Sequence, residues 1–386
     1  MLLAGLLPAT AARAGAIPGM PEPGEDSPPA RATPEPDELT AKPVAAEEEP
    51  RRPAEPKPGW VILPGVSYTP ERGLNVAGTL LRYFRLDRGP DARPSSLGLR
   101  ASISLKARTE ASFDPTLWLA GDRLNLAGTL GASYYDYPYF GVGNDTVAED
   151  REDFTAGRVN ARLEVVARVW QALYVGPLYD FRYEDITAVE DGGMLEMGAV
   201  GSDGGVLSGV GGIVRWDSRD NSYAPHKGGL ISFSPRMYRQ GLGSDQDFGR
   251  LTVDASWFVS LGGEHVVAID GRADFRTGNP PFDHLSLAGG SRLLRGMIEG
   301  RYRDNHLLAG QVEYRFPLFW RLGGVAFGGV GRVAEQVNDF KLEDWKYAGG
   351  AGLRFAIDRA ERINARLDAG ATVEGVNFYL AIGEAF

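Results

Sequence analysis

Gln311-Val-Glu-Tyr-Arg-Phe-Pro-Leu318 decides the fold of this chain. In an extended strand Val312, Tyr314, Phe316 and Leu318 fall on one face, and Gln311, Glu313 and Arg315 on the other. Val159, Ala161, Leu163, Val165, Ala167 and Val169 alternate in the same way with Asn160, Arg162, Glu164, Val166 and Arg168. Near the end Phe378, Leu380, Ile382 and Phe386 share one face, opposite Asn377, Tyr379, Ala381 and Gly383. Such alternation suits a soluble sandwich, with its apolar face inward, or a transmembrane barrel, with its apolar face toward lipid. Periodicity alone does not separate the two.

Connection lengths do. Candidate strands lie at 60–70, 74–87, 94–108, 111–121, 124–136, 153–168, 171–185, 206–217, 228–239, 248–261, 264–276, 306–318, 322–334, 345–357, 362–374 and 376–386. If the first strand runs outward, the long connections 137–152, 186–205, 277–305 and 335–344 fall on the outer side. The short ones, 122–123, 169–170, 262–263, 319–321 and 358–361, fall on the inner side. A bacterial outer-membrane barrel has this asymmetry. The inner turn near 88–93 is long and the outer turn near Gly375 short, against the trend. The expected fold is all-β: a transmembrane antiparallel β-barrel of about sixteen strands over residues 60–386. Leu74–Leu80 and Leu124–Leu130 echo each other once, which is too little for a repeat architecture.

Composition narrows the function. A net charge of −10 argues against nucleic acid as a partner. No apolar run reaches the roughly 18 residues of a spanning helix. The absence of cysteine removes disulfide frameworks and thiolate metal sites. His226, His265, His284 and His306 show no metal-ligand spacing. Asp283-His284 with Ser286 reads as loop polarity rather than a relay, and Asp217, Asp220 and Asn221 as turn chemistry rather than a calcium site. Gly323-Gly324 and Gly328-Gly329 lack the Lys and helix of a phosphate loop. No enzyme, cofactor, catalytic residue or metal is expected.

Several separated blocks resemble the BamA/TamA family, the bacterial surface antigen barrels that insert or translocate proteins at the outer membrane. Leu287-Ala-Gly-Gly-Ser-Arg-Leu-Leu-Arg-Gly-Met297 is similar to the family's inward-folded sixth outer loop, and Gln311–Leu318 to the strand after it. Trp216-Asp-Ser-Arg-Asp-Asn221 with Pro225-His-Lys-Gly-Gly229 resembles the family's strand-eight turn. Tyr139-Phe-Gly-Val-Gly-Asn-Asp-Thr146 and the Phe378–Phe386 segment also look family-like. Together the blocks cover about 57–386 and resemble a member without the family's POTRA domains.

The resemblance implies a lumen loop motif at Gly289, Gly290, Arg295 and Gly296. Paired glycines allow a close backbone approach, and an arginine inside the lumen requires a partner. Glu313, on the polar parity, is the candidate; a solvated Arg295 is the alternative. The family's second acid, in a Phe-x-Asp motif, is missing at Phe327-Gly328-Gly329, and Met297 replaces the aromatic after Arg-Gly. Both departures imply a weaker lock. At the barrel seam, Pro64, Gly65 and Val66 in the first strand face Leu380 and Phe386 in the last. Proline cannot donate to a ladder, so Pro64 and Pro70 imply either a weak seam or a strand that pairs only from Val66 on. In the family the seam is the lateral gate for clients.

The expected function is assistance of protein insertion into, or translocation across, the bacterial outer membrane. The expected partners are outer-membrane lipids, client outer-membrane or secreted proteins, and a separate periplasmic delivery partner. The alternative is a small-solute pore or structural barrel on the same fold.

The start carries an apolar core and an Ala12-Arg13-Ala14 cleavage pattern, read as a signal peptide over 1–14. Residues 15–59, rich in Pro, Glu and Ala, read as a disordered periplasmic tail. A chain beginning at Lys57 is therefore expected to refold in detergent with the heat-modifiable gel shift of the longer chain. Failure to refold would make the tail part of the folded structure.

Overall fold

The computed structural model describes residues 58–69, 73–87, 92–105 and 108–386. The signal peptide assigned to 1–14, the tail as far as residue 57, and Pro70 lie outside the described residues. The strands are β1 (Gly59–Thr69), β2 (Gly73–Phe84), β3 (Ser95–Ser104), β4 (Thr109–Leu119), β5 (Leu124–Tyr139) and β6 (Glu152–Trp170). Next come β7 (Leu173–Ala188), β8 (Gly205–Asp217), β9 (Gly228–Tyr238), β10 (Phe248–Gly262) and β11 (His265–Gly278). Two short strands follow, β12 (Ser286–Ala288) and β13 (Tyr302–Asp304). The last are β14 (His306–Phe319), β15 (Leu322–Ala334), β16 (Lys346–Asp358), β17 (Ile363–Thr372) and β18 (Gly375–Ile382). All but β12 and β13 form one 16-stranded sheet in chain order, each strand antiparallel to its neighbours. β12 and β13 pair inside the longest outer connection, for which no strand is expected from sequence.

Burial settles which face is apolar. In β14, Val312 is 50% exposed and Leu318 47%, whereas Gln311, Glu313 and Arg315 are buried. In β6, Val159, Leu163 and Val169 are exposed and Glu164 is buried. A sandwich would show the reverse. An outward apolar face around an inward polar one is the arrangement that lipid imposes, because every ladder bond is made within the sheet. Exposed Trp60, Trp170, Phe319 and Trp320 lie near the short-turn end, as interfacial aromatics do.

The sheet is nearly closed. β1 pairs with β2 along its whole length, from Gly59↔Tyr83 to Thr69↔Gly73, with Pro64 opposite Gly78. The alternative in which pairing starts at Val66 is thus overturned on the β2 side: a proline loses only its own donor, and its neighbours still bond. β18 pairs with β17 from Ala365↔Ile382 to Thr372↔Gly375. Among the described residues no register joins β1 to β18. They approach where a Cβ on Gly65 would lie 3.6 Å from Leu380 Cδ2.

Phe386 does not share the outer face of Phe378, Leu380 and Ile382. β18 ends at Ile382, and Gly383, with φ of +89°, turns the chain into the lumen. Glu384 there accepts from Arg354 Nε at 2.6 Å and Asn364 Nδ2 at 2.7 Å. Phe386 stacks near Phe258 at 6.2 Å between centroids, beneath the Arg315 guanidinium. Interior arginines and an apolar inner patch outcompete two more residues of ladder.

The outward face is testable at Val312. Val312→Arg places a charge in hydrocarbon and is expected to cost about 2–4 kcal/mol in urea unfolding in lipid, with Val312→Leu near neutral. An unaffected Val312→Arg barrel would contradict the outward assignment.

Candidate functional site in the lumen

The connection between β11 and β14 folds inward and is held at three places. First, Phe282 packs edge-on to Tyr139 and Phe154, at 5.3 and 5.1 Å. Beside it His284 is largely enclosed next to Arg182 and Asp283, and this desolvation pushes its pKa down to about 4. Ser286 Oγ lies 3.2 Å from the Asp274 carbonyl and 3.0 Å from that of Asn305, so it bonds to backbone rather than to His284. Second, Leu293, Leu294 and Met297 join Ala288, Tyr302, Leu307 and Val333 in a buried apolar cluster against the inner wall. Met297 fills this cluster where the family resemblance expects an aromatic. Third, Arg301, nearly buried, reaches Glu374 at 2.7 Å and the Thr146 carbonyl at 3.0 Å.

Between these anchors lies Arg295, with no exposed surface. Its Nη1 donates to Asp368 Oδ2 at 2.6 Å, and its Nη2 to Glu313 Oε2. Its guanidinium carbon sits 3.6 Å from the centre of the Phe327 ring. The structure thus brings Arg295 and Glu313 together in the lumen and adds Asp368, which the sequence reading missed. The second carboxylate, absent at Phe327-Gly328-Gly329, comes instead from β17, and Phe327 contributes its ring face.

Glycine makes this approach possible. Gly296 has φ of +113°, and a Cβ there would fall 2.5 Å from the Ala371 nitrogen. A Cβ on Gly370 would fall 2.3 Å from the Arg295 carbonyl oxygen. The two backbones touch only because both positions are glycine. Tyr379 and Asn377 on β18 complete the contact: Gly296 N donates to Tyr379 Oη at 2.9 Å, and Asn377 Nδ2 to the Gly296 carbonyl at 2.7 Å. Gly289 and Gly290 also have positive φ, and Gly290 N donates to the Met297 carbonyl at 3.1 Å, closing the loop tip.

The carboxylates are shared further. Glu313 accepts from Arg315 Nε at 2.7 Å. Asp368 accepts from Arg354 Nη1 at 2.5 Å and lies 3.4 Å from Arg366 Nη1. Four arginines (Arg295, Arg315, Arg354 and Arg366) and three acids (Glu313, Asp368 and Glu384) make one buried network between the lumen loop, β14, β16, β17 and the chain end. Of the expected seam residues, Pro64 and Gly65 lie on β1 and Leu380 on β18, Val66 is paired to Val76, and Phe386 is in the lumen. No group of His, Asp and Glu with metal-binding geometry occurs among the described residues.

The Omp85 superfamily domain matches residues 93–386. The crystal structure of BamA from Haemophilus ducreyi lacking POTRA domains 1–3 is similar, with a TM-score of 0.53 at 15% identity. That match covers 85% of this chain and 70% of that one. CdiB from Escherichia coli is similar with a TM-score of 0.52 at 12% identity, covering 84% of this chain and 62% of that one. At these identities the likeness is one of fold. No curated protein matches the sequence. The resemblance read from the motifs therefore holds at the level of the superfamily.

Removing a buried charge leaves its partners unpaired. Arg295→Ala is expected to lower unfolding stability in detergent by about 3–5 kcal/mol. Arg295→Lys should recover little of it, because an ammonium lacks the planar fork that reaches two carboxylates and lies flat on a ring. Asp368→Asn should cost as much as Glu313→Gln; a silent Asp368→Asn would remove it from the lock.

Proposed function

This chain belongs to the Omp85 superfamily, and from that membership we propose that it assists insertion of proteins into, or their translocation across, the bacterial outer membrane. The observation that carries the reading is the seam. β1 and β18 each have a ladder on one side only among the described residues. An unmade backbone bond in hydrocarbon costs several kcal/mol, and an unpaired edge is a template for another strand. A client strand adding to β1 or β18 satisfies those groups. The lumen lock supports the same reading, since Gly296 is tied to β18 through Tyr379 and Asn377 while Arg295 anchors to β14 and β17. Clients are outer-membrane or secreted proteins, handed over by a separate periplasmic partner, and the surrounding lipid is the medium they enter.

A solute pore is the second reading. It draws on two lumen cavities of about 480 and 460 Å³, the first beside β2–β6 and the second reaching to β11, lined by polar side chains such as Thr79, Ser112 and Asn125 together with charged ones such as Arg100, Asp114, Arg162 and Glu164.

A cysteine pair at Gly65 and Leu380 separates the two, in a chain with no cysteine of its own. Oxidised, Gly65→Cys with Leu380→Cys should abolish acceleration of client-barrel folding in liposomes, and reductant should restore it. Full activity in the locked barrel overturns the seam route. Conductance that persists unchanged when locked, with no client folding in either state, favours the pore.

A further inference from the structure

Among the described residues, the β8–β9 connection reaches across the inner mouth. Residues 218–227, between β8 and β9, lie across the sheet from both the β2–β3 and the β16–β17 connections; they bond directly to the second, and meet the first at Asp217, the last residue of β8, whose carboxylate also holds Arg219 of the crossing connection at 3.0 Å. On one side Arg93 of the β2–β3 connection donates to the Asp217 carboxylate at 2.5 Å and to its carbonyl at 3.1 Å. On the other, Arg362 of the β16–β17 connection donates to Asp220 Oδ2 at 2.7 Å, and Asn221 Nδ2 donates to the Glu361 carbonyl at 3.2 Å. Arg85 closes the ring, with Nη2 3.1 Å from Glu361 Oε2. Tyr223, from the middle of the crossing connection, packs against Val61, Tyr83 and Ile363 at the inner end of the seam.

The connection also holds its own shape. Asp220 Oδ1 accepts from the backbone N–H of His226 at 2.8 Å and of Lys227 at 3.1 Å. Asn221 Oδ1 accepts from the N–H of Tyr223 and of Ala224, both at 2.8 Å. Such a preformed element can move as a unit once its ties to the other two connections are lost. Immediately beyond it lies the lumen cavity of about 460 Å³, lined by Ser222, Tyr223, Thr116 and Ser232.

We propose that the β8–β9 connection is the inner gate of the lumen, held closed by Arg93 and Arg362 and opened when these two ties are released. The gate serves either functional reading, because a client and a solute both need this mouth. Its test therefore does not depend on client folding.

Single cysteines report the gate through labelling by a sulfonated, membrane-impermeant maleimide. Ser232→Cys sits in the cavity behind the gate, and Glu110→Cys lines the cavities of the outer half. In the otherwise unchanged barrel Ser232→Cys should label slowly. Adding Arg93→Ala and Arg362→Ala should raise its rate roughly tenfold, the factor given by losing about 1.4 kcal/mol of closing free energy. The Glu110→Cys rate should stay constant, and Lys at both arginine positions should restore most of the protection. If the double substitution does not give the heat-modifiable folded band, Arg362→Ala alone carries the test with a smaller rise. The gate is overturned by a Ser232→Cys rate that does not change in a folded variant. It is equally overturned by a parallel rise at Glu110→Cys, which marks general loosening.

Discussion

A guanidinium with no exposed surface sets the terms for the rest of this barrel. Buried away from water, Arg295 demands counter-charges at bonding distance. Glu313 and Asp368 supply them from strands three apart in the sheet, and the Phe327 ring covers the remaining face. Once that triangle is fixed, the backbone at Arg295 and Gly296 must lie on Gly370 and Ala371, and no side chain fits between. The loop's other contacts follow from this position. Leu294 and Met297 are carried into the apolar cluster on the inner wall, and Arg292 is carried to Asp270 at 2.9 Å.

The network divides the lumen. The wall formed by β14–β18 is packed with arginines, acids and the inward-turned loop. The wall formed by β2–β6 borders open cavities, where small side chains such as Ala77, Ser112 and Thr116 stand among ion pairs such as Arg100–Asp114 and Arg162–Glu164. The seam lies where these two regimes meet. β18 is tied to the loop by Tyr379 and Asn377, whereas β1 is held by β2 and the apolar cluster around Val61. At the inner end the two edges share that cluster, which includes Ile363 of β17 and Ile382 of β18, so side-chain packing joins them there in place of a ladder.

Much of this was legible in the sequence, for a definite reason. Lipid forces the apolar residues outward at every second position, so strands such as 206–217 and 228–239 were read within a residue of β8 and β9. The Arg295–Glu313 pairing was legible because motif and strand parity both pointed to it. Asp368 was not, since its partner lies 73 residues away and depends on how the barrel curves. The signal was present as an isolated acid on the inward parity of β17, beside Ala369 and Gly370, whose small size leaves room for a loop. Phe386 misled because continued alternation hid the turn at Gly383, which only the buried partners of Glu384 explain. The crossing of the inner mouth was also hidden. Asp220 and Asn221 read correctly as turn chemistry, but their second atoms, Oδ2 and Nδ2, bond across the barrel.

That double use of Asp220 and Asn221 bears on how the barrel divides rigidity from motion. Each residue spends one polar atom on the shape of its own connection and the other on a distant one. Shape therefore does not depend on closure, and closure can be lost without unfolding the connection. Arg295 is the opposite case, because its two donors bind different strands of the wall and neither can be released without stranding a buried carboxylate. Around Arg295 the lumen loop is fixed. At the inner mouth, the Arg362–Asp220 tie runs through partly exposed groups, which water can solvate when they part, and the buried Asp217 carboxylate keeps Arg219 as a partner when Arg93 leaves.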